Sequence, residues 1–252
     1  MRNKSAVCLA AITLAAFAAC VDPTQGELGP FCPESHFLFE LVDDDTAVMI
    51  TGYVGGRADV RIPPYIRGLP VTVIGNGAFG SQEVWDEEHG WYVIANLHQL
   101  TSVTIPNGVT AIWGGAFFLN LLTSVAIPDS VVTIGSSAFQ QNRLASVTIG
   151  NGVTVIGGSA FSMNQLTSLY IPYGVTNIGS DAFALNQLAS VTIPYSVIYI
   201  NGGAFRNNQL VSVTVPNSEA VIRPGAFGPD VKVTIGTDQK HVNHHEDPTL
   251  ET

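Results

Sequence analysis

The chain has 252 residues, 46% of them hydrophobic and only 12% charged, with a formal net charge of −10. That balance carries no basic footprint for nucleic acid and makes an anionic membrane surface a poor electrostatic partner. The length suits one domain or two.

Residues 1–19 read as an export signal. Arg2 and Lys4 supply the positive start, and Ala6–Phe17 is an apolar stretch too short for a comfortable membrane span. It ends at Phe17-Ala18-Ala19-Cys20, which resembles a bacterial lipoprotein signal whose Cys becomes the lipidated first residue. Phe17 departs from the aliphatic residue usual there, and cleavage after Ala18 is the alternative. Cys20 is thus the candidate lipidation site, and a membrane would be met only through that anchor. If Cys20 is lipidated, Cys32 is left as a lone thiol; if not, the two could pair in an oxidising compartment, and the spacing does not decide. Residues 20–35 carry Pro, Gly and acidic side chains and read as a tether.

Residues 36–60 are predicted to form a β-hairpin cap, with strand-like runs Phe37–Val42 and Ala47–Tyr53 around Asp43-Asp44-Asp45. Three adjacent carboxylates invite a calcium reading, but an oxygen cage needs about six ligands. A solvated turn is the better reading.

Residues 61–236 are dominated by repetition. Leu recurs at 100, 122, 144, 166, 188 and 210, a period of 22 without slippage. Ala-Phe pairs keep the same period, with Phe at 117, 139, 161, 183, 205 and 227. Ala78-Phe79 belongs to an earlier unit, separated from the next by an insertion near 81–96. A fixed period of this size predicts a solenoid, whose units cannot bury their apolar faces alone. The fold class is therefore a β-rich leucine-rich-repeat solenoid of about seven 22-residue repeats behind an N-terminal hairpin cap. Residues 237–252 are a polar tail whose His241, His244, His245, Glu246 and Asp247 have nothing to hold them in metal-binding geometry.

Within a unit, Leu100-x-x-Val103-x-Ile105 follows a leucine-rich-repeat strand pattern, and Val109-x-x-Ile112 with Ala116-Phe117 gives a second apolar edge. Pro106 and Asn107-Gly108 end the first strand and turn the chain. Asn stands three residues after five of the Phe positions, at 120, 142, 164, 186 and 208. Stacked Asn side chains can satisfy backbone groups that a tight coil leaves unpaired, so they are predicted to be a structural ladder, with His98 in phase at its end.

The repeated Ile-Pro-x-x-Val-x-x-Ile-Gly-x-x-Ala-Phe, joined to Leu-x-Ser-Val-x-Ile-Pro, resembles the BspA-type (treponemal) leucine-rich-repeat family over roughly residues 37–236. Members of that family are largely surface or secreted proteins, some implicated in adhesion. The resemblance implies a binding role of that kind and names no ligand.

Enzymatic chemistry is not expected, and no cofactor. Between Gln99 and Lys240 there is neither His nor Cys, and Asp129, Asp181 and Glu219 fall at different phases of the repeat. They cannot make a paired acid–base site, and the many Ser residues have no base beside them.

The outward strand positions are more informative. The second, third and fifth residues of each first strand are predicted to face away from the core, giving a small, hydroxyl-rich, uncharged surface from which Tyr170 stands out. Tyr173, Tyr195 and Tyr199 are placed in neighbouring turns. The insertion adds Trp85, Trp91 and Tyr92 on a predicted protruding hairpin. Tyr and Trp give large contact area at low entropic cost, which makes these seven residues the candidate protein-binding set. Packing of the same rings onto neighbouring coils is the bland alternative. An ice-templating Ser-x-Thr array is a further class, interrupted at Ala126 and Tyr170. The expectation is an exported, non-enzymatic cell-surface module that binds extracellular protein or glycan, anchored at Cys20 or else secreted; a structural or periplasmic envelope protein is the alternative.

Overall fold

A computed structural model describes residues 31–80, 82–86, 91–95 and 98–236, with 82–86 and 91–95 as backbone strands. The predicted export signal, Cys20 and the tail 237–252 lie outside the described residues. Among the described residues no helix is long and apolar enough to cross a membrane.

The chain coils as the 22-residue period requires. Leu100, Leu122, Leu144, Leu166 and Leu188 are fully buried, as are the Ala-Phe pairs from 116 to 205. Their aromatic rings form one column. From Phe79 through Phe117, Phe139, Phe161, Phe183 and Phe205 to Phe227, successive ring centroids lie 5.1–5.5 Å apart and the planes tilt by 12° or less. One coil height thus equals one offset aromatic stack, and the column and the strand ladder fix the same repeat.

The continuous sheet is not made by the Leu-bearing half of the repeat. It is made by the second half, through Ala111–Ile112, Thr133–Ile134, Val155–Ile156, Asn177–Ile178, Tyr199–Ile200 and Val221–Ile222, all parallel and shifted by 22 residues. Among the described residues the Leu half gives only local pairs: Asp59–Arg61 with Ser102–Thr104, Ser124–Ala126 with Ser146–Thr148, Ser212–Val215 with Lys232–Ile235, and a single bridge from Tyr170 to Thr192. Glycine accounts for the closeness of the second half. A Cβ on Gly157 would stand 2.6 Å from backbone atoms of Gly135 and Ser136, so in the central coils this place is held by a residue without one. The Gly135, Gly157 and Gly179 N–H groups then donate to Ile112, Ile134 and Ile156 at 2.7, 2.7 and 2.8 Å. Trp113, Asn201 and Arg223 hold that place in the outer coils, with corresponding bonds of 2.8, 3.0 and 2.9 Å.

The Asn ladder is present. Each Asn Oδ1 accepts the N–H of the preceding coil's Leu, from Asn120 on Leu100 to Asn208 on Leu188, at 2.9–3.1 Å. Each Nδ2 donates back to the preceding coil's Phe carbonyl at 2.8–2.9 Å. These side chains satisfy interior backbone groups that would otherwise be left without partners.

At the N-terminal end Phe37–Val42 and Ala47–Tyr53 form the antiparallel hairpin, and the second strand runs parallel to Leu69–Ile74 as the first layer of the sheet. Phe37 and Tyr53 close the aromatic column against Phe79 at 6.2 and 5.6 Å. His98 packs edge-on to Tyr53 at 5.5 Å, where the ladder meets the cap. Asp43, Asp44 and Asp45 all take positive φ in the turn between the hairpin strands. The insertion is a second hairpin, Gln82–Asp86 with Trp91–Ala95, and the strand before it, Asp59–Arg61, pairs directly with Ser102–Thr104 after it. The extra residues therefore leave the stack without breaking it.

Candidate functional site

The outward face of the first strands follows the predicted pattern. Thr101, Ser102 and Thr104, and their counterparts in the next five coils, are all exposed, while Ile105, Ile127, Ile149, Ile171 and Ile193 point inward and are buried. Ser stands at the same register in every coil, at 102, 124, 146, 168, 190 and 212. Ser102 is bonded to the Asp59 carboxylate at the N-terminal end of this row.

The tyrosines lie mid-rod and outside the core. Tyr170 is 56% exposed, Tyr173 75%, Tyr195 51% and Tyr199 45%. Tyr170 and Tyr173 meet edge to face, with centroids 6.4 Å apart and planes at 82°. Tyr195 follows Tyr173 by one full period, so it occupies the same turn position one coil on. That turn row reads Asn107, Asp129, Asn151, Tyr173, Tyr195 and Asn217, a rim of planar polar and aromatic groups beside the hydroxyl face. The Asp129 carboxylate in this rim accepts the Asn151 N–H at 2.7 Å.

Tyr199 does not belong to this group. It sits in the strand Tyr199–Ile200 of the continuous sheet, in register between Asn177 and Val221, and not in a turn. It borders exposed Ile198 and Val221. The residue phase separates the four: 170 falls four positions after its coil's Leu, 173 and 195 seven, and 199 eleven, beyond the turn. The insertion hairpin's register sets Trp85 opposite Tyr92 and Asp86 opposite Trp91, so the two indoles are not cross-strand partners. The structure thus brings Tyr170, Tyr173 and Tyr195 to one face and edge and leaves Tyr199 on another.

Among the described residues no group of three His, Cys, Asp or Glu is arranged to hold a metal ion. The polar clusters that do occur are structural. Arg206 Nε donates to Asp181 at 2.5 Å across adjacent coils. His36 and His98 both titrate below the ordinary His range, His36 through burial and then the nearby Arg57, His98 through burial alone. Both flank Tyr53 in the cap.

Some features carry little local signal in the sequence. Left-handed residues recur at the coil period in two series: Ser137, Ser159 and Asp181 with Gly115, Gly203 and Gly225, and Leu119, Gln141, Met163, Leu185 and Asn207. The first series is hinted at by its alternation with Gly; a left-handed Leu or Met has no such signature.

Comparison with known proteins agrees with this geometry. Residues 114–233 match the model of the BspA type leucine rich repeat region, in six copies. Residues 114–233 are therefore BspA-type leucine-rich repeats. Among solved structures, the chain is similar to a leucine-rich-repeat protein of T. pallidum, at 24% identity and a TM-score of 0.45, covering 81% of this chain and 85% of that one. It is also similar to a leucine-rich cell surface protein of Faecalibacterium prausnitzii, at 22% identity, TM-score 0.33 and coverages of 81% and 75%. The pneumococcal vaccine antigen PcpA aligns at 17% identity, TM-score 0.44 and coverages of 80% and 68%. No curated protein matches the chain.

Proposed function

We propose that this chain is a non-enzymatic binding module of the cell surface, exported by its N-terminal segment and held at Cys20. In this reading it engages extracellular ligand displayed by another surface through the face that carries Tyr170, Tyr173 and Tyr195. The observation that carries the proposal is the exposure of these three rings at the edge of an uncharged, hydroxyl-lined face, while every Phe of the repeat is inside. Large rings left in water on a rigid frame offer contact area with little ordering cost. A solenoid built from BspA-type repeats suits that role, because stacking coils extends one continuous surface.

The test is binding of the full-length protein to immobilised matrix proteins and to whole cells, compared with a Tyr170→Ala/Tyr173→Ala variant and a Tyr199→Ala variant. Saturable binding that weakens about tenfold or more in the first variant and holds in the second is expected. Equal binding by all three forms would refute the assigned face. Trp85→Ala/Trp91→Ala tests whether the insertion hairpin shares the contact.

A further inference from the structure

We infer that the Tyr170–Tyr173 corner and the hydroxyl face beside it are built to take an uncharged glycan chain lying along the rod, with one sugar ring to a coil. This rests on the binding-module reading and narrows it to a ligand class.

The first argument is electrostatic. The outward positions of the six first strands carry no formal charge, and the one carboxylate of the neighbouring rim, Asp129, is two coils from Tyr173 and already accepts a backbone N–H. The Ser row is bounded by Asp59 beside Ser102 and by Lys232 beside Ser212, but the outward strand residues around Tyr170 between them are uncharged, so a sulfated or uronic-acid polymer would find no cation, and a basic or acidic peptide no counter-charge, at this corner. Protein contacts of ordinary strength draw on Arg and on apolar anchors seated in pockets, and this face offers neither.

The second argument is shape. A neutral sugar needs a flat apolar surface under its C–H face and short polar groups around its edge. The near-perpendicular Tyr170 and Tyr173 rings supply a floor and a wall. Tyr195 repeats the wall one coil on, and Ser168 and Ser190, both exposed, lie beside it. Parallel strands recur about every 4.8 Å, close to the length of one pyranose unit in an extended chain. A glycan laid across the strands therefore meets equivalent hydroxyls at each step, and affinity should grow with the number of sugars that reach the Ser row. The frame is already ordered by the Asn ladder and the Phe column, so little entropy is lost on binding.

The experiment is titration calorimetry of the full-length protein with neutral trisaccharides and hexasaccharides prepared from cellulose, chitin and mannan. At least one hexasaccharide is expected to bind. Its trisaccharide should be weaker, the affinity should be unchanged between about 0.05 and 0.5 M salt, and Tyr170→Ala/Tyr173→Ala should lose about tenfold or more. Tyr199→Ala should bind normally, and circular dichroism should show both variants folded. No binding by any hexasaccharide, or binding kept in the folded double variant, would overturn the inference. Periodate oxidation of the target surface separates the two levels. Capture that survives oxidation yet still depends on Tyr170 and Tyr173 refutes the glycan and leaves the binding-module reading standing. Capture that never depended on these rings defeats both.

Discussion

Asn164→Ala is the sharpest test of how the coils are held. Its Oδ1 accepts the Leu144 N–H at 3.0 Å, and its Nδ2 donates to the carbonyls of Phe139 and Phe161 at 2.9 and 3.1 Å. Leu144, Phe139 and Phe161 are fully buried. Truncation orphans one interior N–H, costing about 1–3 kcal/mol when no water replaces it, while the Phe139 and Phe161 carbonyls each lose one donor but keep Asn142 and Asn186. The expected loss is about 2–4 kcal/mol for this single side chain. Asn208 makes the same bonds in a half-buried setting near the C-terminal end, where solvent can step in, so Asn208→Ala should cost only about 1–2 kcal/mol. Urea denaturation followed by far-ultraviolet circular dichroism gives the two values, and hydrogen exchange at the Leu144 amide reports the bond directly. A cost under about 1 kcal/mol for Asn164→Ala, with Leu144 still protected, would refute the ladder as the source of cohesion.

Three other outcomes are expected. Gly157→Ala should destabilise by about 1–3 kcal/mol because its Cβ would collide with backbone, whereas Gly158→Ala, whose nearest neighbour is Ser180 O at 3.3 Å, should cost far less in the same thermal melts. Ser159→Gly should raise stability by up to about 1 kcal/mol, since it relieves a left-handed φ of 55°; a lower melting temperature would count against that account. The burial that holds His36 and His98 below their ordinary range makes the unfolded chain the better proton acceptor, so their stability contribution is complete above about pH 6.5 and is lost as pH falls toward the folded values. Melting temperature should decline across that interval, and His98→Gln should flatten the slope.

The coil, its period, its Phe column and its Asn ladder are legible because each rests on residues that recur at one phase, from Leu100 to Phe227. The outward face is legible for the same reason, since inward Val and Ile fix which neighbours point out. The choice of half for the continuous sheet is not legible. Val109-x-x-Ile112 and Leu100-x-x-Val103 are both short apolar runs, and which of them pairs continuously is decided by contacts between coils, which neither run displays on its own. In sequence Tyr199 groups with the turn tyrosines for a related reason: its distance from Tyr195 is small, but the turn ends between them. The left-handed Leu119 and Met163 are imposed by the coils on either side and leave no mark in local propensity.

The direction of the Asn bonds has a consequence for how the rod is made. Every ladder side chain reaches back: the N–H of Leu144 is met by Asn164, twenty residues further along, and the Phe139 carbonyl, already bonded to Asn142, takes its shorter bond from the same Asn164, twenty-five residues along. A coil is therefore sealed by its successor. The bonds of the ladder therefore run in one direction along the rod, each set closed by residues that come later in the sequence.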